Sequence, residues 1–230
     1  MTLWLFDIDG TLLRSDSAGR GAMGRTFEAL YGISGAFDQV DFRGVLDDGV
    51  LQRACVRWGV PLERDRFVAR FQGELEAGMD PASNPAQQLC PGVLAALDAV
   101  AALGPVGLVT GNWKVGARAK LAAFGLWERF ELGAYSDDGP TRAALIRVAT
   151  QRAEAAGHDV QRVVMVGDTP NDVGAALEAG AVAVAVQTGW TDVADLMAAG
   201  PDLLLPDLVD GLAALLALGA REVDQSSSGR

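Results

Sequence analysis

The chain has little of what many catalytic sites are built from. Among 230 residues there is one histidine, His158, and there are two cysteines, Cys55 and Cys90. A single histidine, placed in a polar joint ahead of a strand, reads as a surface residue and leaves no histidine-based triad to assemble. Two widely separated cysteines form neither a disulfide framework nor a metal-ligand spacing and read as buried free thiols. Lysine is nearly absent as well, with only Lys114 and Lys120. No apolar run reaches the length of a membrane span, and no basic segment followed by an apolar stretch opens the chain, so a cytoplasmic protein without membrane contact is expected. The net charge of -11 argues against nucleic acid, which needs clustered Lys and Arg.

What is present is an alternation of strands and helices. "LWLF" (3–6) is a short apolar run of the kind buried in parallel sheets. From residue 91 the pattern runs helix "PGVLAALDAVAAL", strand "VGLVT" (106–110), helix "KVGARAKLAAFGL", strand "FELGAYS" and a helix through 141–157. It continues with strand "RVVMVGD" (162–168), helix "PNDVGAALEAG", strand "AVAVAV" (181–186), a helix near 192–199, the run "DLLL" and a helix near 208–218. Such alternation predicts a Rossmann-like α/β fold, a parallel sheet covered by helices on both faces.

Between residues 13 and 89 the character changes. "GAMGRTFEALYGI" and "DDGVLQRACVRWGV" carry apolar residues at helical spacing, no strand is legible, and "PASNP" (81–85) reads as a turn. The expectation is an all-helical insertion (13–89) placed after the first strand of a core made of residues 1–12 and 90–220, with 221–230 a disordered tail. The insertion is almost neutral and rich in Arg, while the rest carries most of the negative charge.

Three stretches share one design, an apolar strand that ends in polar residues beside a glycine: "LFDIDGT", "GLVTGN" and "VMVGDTPND". In open parallel sheets ligands bind at the carboxyl ends of strands, near the point where strand order reverses. If the three strands are neighbours, Asp7, Asp9, Thr110, Gly111, Asn112, Asp168 and Asp172 converge. Carboxylates gathered without His or Cys suit a hard cation with oxygen ligands, Mg²⁺ best of all. The strand-to-helix junction at 110–112 offers free N–H groups to an anion. Metal, anion pocket and an exposed carboxylate together point to phosphoryl transfer, with a carboxylate as nucleophile.

These motifs resemble those of the haloacid dehalogenase-like hydrolase superfamily in its phosphatase branch, the phosphoglycolate phosphatase-like proteins in particular. "DIDGT" matches the first family motif, "LVTGN" the second and "GDTPND" the fourth, in order, over the chain up to about residue 205. The helical insertion resembles the family's cap domain. The resemblance implies that Asp7 attacks phosphorus and carries an aspartyl-phosphate, while Asp9 acts as acid and then as base. It implies that Mg²⁺ is held by Asp7, the backbone carbonyl of Asp9 and Asp168, with Asp172 steadying a metal-bound water. Thr110 and Gly111, with Asn112 beside them, would bind phosphoryl oxygens. Asp172, in the first turn of a helix, is also stabilised there by the helix dipole alone.

The third family motif is a basic residue, usually Lys, and here the sequence departs from the pattern. Arg142, in "SDDGPTRAAL", fits the motif order better than Lys114 and gives a bidentate fork to phosphate. In the insertion, Arg20 in "AGRG" and Arg43 and Asp47 in "FRGVLDDGVL" are candidates for substrate selection, each equally readable as surface charge. Trp113 and Trp190 follow motif-like loops, positions suited to lining a pocket and equally to aromatic packing. The expected activity is hydrolysis of a small phosphorylated metabolite by a monomer or small homo-oligomer. A phosphomutase and a non-catalytic metal-stabilised binding protein are the alternatives.

Overall fold

The computed structural model describes residues 1–40 and 42–220, so the tail expected over 221–230 lies outside the described residues. Six strands form one sheet: β1 (Thr2–Phe6), β4 (Val106–Val109), β5 (Leu132–Ala134), β6 (Arg162–Gly167), β7 (Val182–Val186) and β8 (Leu203–Leu205). Their spatial order is β5-β4-β1-β6-β7-β8, and every pairing is parallel. The α/β architecture read from the alternation is therefore the one observed.

Strand β1 is central and wholly buried. Successive side chains of a strand point to opposite faces, and β1 feeds both cores in turn. Trp4 and Phe6 pack with α4 (Val93–Ala101), α5 (Lys114–Ala122) and α9 (Leu212–Ala220) through Leu97, Leu121 and Leu215. Leu3 and Leu5 pack on the other face with α6 (Arg142–Ala155), α7 (Pro170–Ala179) and α8 (Val193–Ala198) through Leu145, Val173 and Leu196. Because both faces are covered, the strands read as continuous apolar runs rather than as alternating ones.

The chain leaves β1, returns to β4 on one side of it, and later crosses to β6 on the other. Strand order therefore reverses at β1, and the loops after β1, β4 and β6 meet at one crevice, the usual ligand position in open parallel sheets.

The segment after β1 carries α1 (Ala18–Tyr31), α2 (Asp47–Trp58) and α3 (Arg64–Gly78). One expectation is corrected here. Two short strands, β2 (Leu13–Arg14) and β3 (Gln88–Leu89), pair antiparallel where this segment leaves and rejoins the sheet, Leu13 opposite Leu89 and Arg14 opposite Gln88. A two-residue ladder is too short to leave any periodicity in the sequence. The three helices share a third apolar cluster built on Phe27, Leu51, Phe67 and Phe71, and that cluster also takes in Trp113 and Ala119 from the other side. The last helix starts at Leu212 rather than 208, since Leu208 is buried in the preceding turn against Gly92, whose added Cβ would lie 2.4 Å from the Leu208 carbonyl carbon. Among the described residues no helix is long and apolar enough to cross a membrane.

Candidate active site

Strand β1 ends at Phe6, and Asp7 continues its line with its N–H on the Val166 carbonyl. The backbone then turns at Gly10, which has φ +85°. Gly10 is needed for space as well as conformation, because a Cβ there would sit 2.3 Å from Asp168 Oδ2. Gly189, in the loop after β7, closes on the same oxygen at 1.7 Å from its would-be Cβ. Two glycines thus wall in the Asp168 carboxylate, and only the first was visible in a motif.

Asp7, Asp168 and Asp172 are all buried, and one carboxylate oxygen from each lies within 4.8 Å of the others. Asp172 is fixed by α7. Thr169 caps that helix, Pro170 takes its first turn, and Asp172 Oδ2 accepts from the Thr169 N–H (3.0 Å) and hydroxyl (2.6 Å) in a capping box. Arg142 opens α6, buried, and its Nη1 donates to Asp172 Oδ1 and lies 3.3 Å from Asp7 Oδ1. One guanidinium therefore faces three carboxylates. Burial, with Asp172 and Asp9 adding to it against Arg142, pushes Asp7 up to about 6. Burial and the Asp172 and Asp7 charges raise Asp168 well above the usual carboxylate range. Burial disfavours the Arg142 charge, but Asp172, Asp7 and Asp168 outweigh it and hold the guanidinium protonated.

Asp9 lies in a different environment. Ser15 Oγ donates to its Oδ1 at 2.9 Å, while Asn112 Nδ2 (2.9 Å) and Lys120 Nζ (2.5 Å) donate to its Oδ2. Burial opposes the charge, yet Lys120, Asn112 and Ser15 together hold this carboxyl below the usual range. Lys120 is itself buried and also donates to Asn112 Oδ1 at 2.7 Å.

The "TGN" loop does not present all three residues to the same space. Thr110 is fully buried, its hydroxyl accepting from the Asn112 side chain at 2.8 Å, and it does not line the cavity. Gly111 and Asn112 do line it. A Cβ on Gly111 would meet the Val45 carbonyl oxygen at 2.3 Å, so glycine is what lets the helical segment settle onto this loop. That contact is stitched on both sides. Asp47 N–H donates to the Gly111 carbonyl (2.8 Å), Asp47 Oδ2 accepts from the Trp113 N–H (2.9 Å), and Arg142 Nε donates to the Gly44 carbonyl (3.3 Å).

Under this contact lies a cavity of about 330 Å³, floored by Asp7, Asp9 and Asp168. Arg20, Arg43 and Asp47 line it, as do Phe42, Lys120 and Trp190. Arg20 is held in place, its Nη1 donating to the Phe37 carbonyl at 2.8 Å and its guanidinium 4.7 Å over the Phe42 ring. The two tryptophans diverge. Trp113 is completely buried and packs edge-on against Phe71, ring centroids 5.2 Å apart, whereas Trp190 is half exposed at the cavity.

Of the two basic candidates, Arg142 lies among the carboxylates. Lys114 lies elsewhere, its ammonium 5.9 Å over the Tyr135 ring. Lys120 was not singled out for the site in the sequence. The signal was there, since Gly116, Ala117 and Leu121 form the buried face of α5 and Lys120 falls on that face at i+3 and i+4 spacing. His158 is partly buried beside Glu131 at 3.6 Å, away from the site, and both cysteines are buried and unpaired.

The family model of haloacid dehalogenase-like hydrolases matches residues 4–177. The chain is 29% identical to a phosphoglycolate phosphatase of Agrobacterium fabrum, over 89% of its own length and 88% of that protein. It is 30% identical to a phosphoglycolate phosphatase of Synechococcus elongatus, over 93% and 97%. A hydrolase from Pseudomonas syringae superposes with a TM-score of 0.71 at 21% identity, covering 95% of this chain and 99% of that one. With carboxylates gathered at the switch point of a parallel sheet, and relatives matched over most of their length, the chain belongs to the haloacid dehalogenase-like hydrolases, in their phosphatase branch.

Proposed function

We propose that the chain is a Mg²⁺-dependent phosphomonoester hydrolase that works through an aspartyl-phosphate on Asp7, with a small phosphorylated metabolite of the phosphoglycolate kind as substrate. The observation that carries the reading is the contrast at the end of β1. Asp7 Oδ1 is buried and makes no hydrogen bond, although a guanidinium lies 3.3 Å away. Two positions on, Asp9 is fully engaged by three donors.

The acidic cluster fits a hard divalent cation. Three buried carboxylates converge, one oxygen is left without a hydrogen bond, and Asp7 and Asp168 are displaced toward their neutral forms by burial, with the neighbouring carboxylates adding to it. Asp7 and Asp168 would hold the ion, with Asp172 bracing them through Thr169 and Arg142. When bound, it supplies electrostatic stabilisation of the phosphoryl oxygens and keeps Asp7 ionised.

The residues then divide the work. An Asp7 oxygen attacks phosphorus as the ester P–O bond breaks, and Asp9 passes a proton to the departing oxygen. In the resting site Asp9 is ionised, so that proton arrives with the substrate monoanion. Asp9 next takes a proton from water as the water oxygen bonds to phosphorus and the Asp7–P bond breaks. Arg142 and the N–H groups of the 111–112 loop offset charge on the transferring group. The helical segment over the cavity acts as a cap that excludes bulk water.

Turnover of p-nitrophenyl phosphate and of phosphoglycolate with and without Mg²⁺ tests this. EDTA should abolish activity and added Mg²⁺ restore it, and full activity in metal-free buffer would sink the proposal.

A further inference from the structure

Lys120 is a buried lysine. It sits two turns into α5, on the face that meets the sheet and the helical segment. A Cβ on Gly19 of α1 would lie 3.4 Å from its ammonium. Taking an ammonium and a carboxylate out of water costs about as much as their pairing returns, and apolar side chains in place of both partners are often as stabilising. Stability alone therefore does not account for the Lys120–Asp9 pair, although it does account for why neither charge is left alone.

Its partners account for it better. Nζ donates to Asp9 Oδ2 and to Asn112 Oδ1. The second bond fixes which way the Asn112 amide faces, so that Asn112 Nδ2 donates to that same Asp9 oxygen. Oδ2 thus takes two donors, one of them charged. Oδ1 takes only the Ser15 hydroxyl, a donor that rotates freely about its own bond. A carboxylate held at one oxygen by a rigid pair has a fixed plane and a fixed second oxygen.

Building on the phosphatase reading, we propose that Lys120 is the positioning residue of the acid–base step. With Asn112 it clamps Asp9 Oδ2 and leaves Oδ1 as the atom that exchanges the proton. In the first half-reaction the proton brought by the substrate monoanion passes through Oδ1 to the ester oxygen as Asp7 bonds to phosphorus and the ester P–O bond breaks. In the second it moves from water to Oδ1 as the water oxygen joins phosphorus and the Asp7–P bond breaks. Lys120 acts through Asp9 and does not touch the phosphoryl group.

The test is a double-mutant cycle on p-nitrophenyl phosphate with saturating Mg²⁺. Lys120→Met keeps the length of the side chain and removes the charge. It should lower kcat by about 10²-fold, the lower end of what acid–base help contributes, with KM within about threefold of wild type. Nitrophenolate leaves without help, so the slowed step is hydrolysis, and acid quenching should trap more phosphoenzyme than in wild type. Lys120→Arg should regain part of kcat. In an Asp9→Asn background the same Lys120→Met change should alter kcat by no more than about twofold, since a residue acting through Asp9 has nothing left to act on. If Lys120→Met does not fold, Lys120→Gln carries the same comparison. A wild-type rate in the single variant, or an equal loss in both backgrounds, overturns the role and leaves the phosphatase reading standing. A wild-type chain that turns over no phosphomonoester overturns that reading, and this role with it, before any variant is compared.

Discussion

The two sides of the cavity floor handle the same problem in opposite ways. On the Asp7 side, three carboxylates share one guanidinium, and burial drives Asp7 and Asp168 toward neutrality. On the Asp9 side, one carboxylate accepts from an ammonium, an amide and a hydroxyl, and it stays ionised. Asp7 and Asp9 are two positions apart on the chain, so local sequence does not produce the difference. It comes from which helices bring charge: α6 and α7 supply Arg142 and Asp172 to one, and α5 supplies Lys120 to the other. Under the proposed function, the overcharged side would take the cation and the balanced side would move the proton.

The largest effect that separates the two sides should come from Asp7→Asn. An amide cannot serve as the nucleophile, so turnover of p-nitrophenyl phosphate should fall by about 10⁴–10⁶-fold, comparable to loss of an essential nucleophile elsewhere. The fold should survive, because one charge leaves an overcharged cluster. Retention of more than a small fraction of wild-type activity would remove Asp7 from its assigned role.

Arg142 tests the charge balance on that side. Arg142→Ala should lower kcat by roughly 10²–10³-fold, in line with removal of one electrostatic donor to a transferring group. Arg142→Lys should recover part of the loss, since charge returns without the planar guanidinium whose Nη1 meets Asp172 and Asp7 while its Nε holds the Gly44 carbonyl. Lys114→Ala should stay close to wild type, because that ammonium faces Tyr135 and not the carboxylates. The reverse ranking of these two alanine variants would assign the basic role to the helix after "TGN".

The mildest effect belongs to the roof. Asp47 is buried beside the Lys120 side of the cavity, and burial, only partly countered by Lys120 and the Trp113 N–H, pushes it up to about 7. A carboxyl whose folded value is raised binds its proton more tightly in the folded state. Its contribution is complete below about 4 and is lost as pH rises through about 7. Asp47→Asn keeps an acceptor for the Trp113 N–H and has nothing to ionise. It should therefore be more stable than wild type at pH 8, on the order of 2–4 kcal/mol at most, with the advantage vanishing near pH 4. Urea midpoints at the two pH values check this, and an equal difference at both would remove the titration from the explanation.

The sequence made much of this legible where chemistry and neighbours lie within a few residues. The alternation of strands and helices, the "DIDGT", "TGN" and "GDTPND" stretches at strand ends, and the Thr169–Asp172 cap are all local patterns. The order β4-β1-β6 then places three of those strand ends side by side. Arg142 was reachable from motif order, because it stands at the first turn of a helix opened by Thr141. What stayed hidden depended on distance along the chain. The two-residue ladder at 13–14 and 88–89 has no periodicity to read, and Gly189 shows its purpose only through Asp168.

Composition, strand-end motifs and helix caps, in short the amino-acid sequence by itself, determined that this is an α/β phosphatase-type chain with carboxylates at its switch point. Each of those features is fixed by bonds spanning a few residues. Only the tertiary structure decided which cation each aspartate receives and what roofs the cavity. Lys120 reaches Asp9 from 111 residues away in sequence, and Gly44 reaches Arg142 across 98. Trp113 became core while Trp190 stayed at the cavity. Such pairings follow from how whole helices pack on the sheet and on one another, and burial then sets their strength, because a charge removed from water is governed by the few groups that packing places beside it.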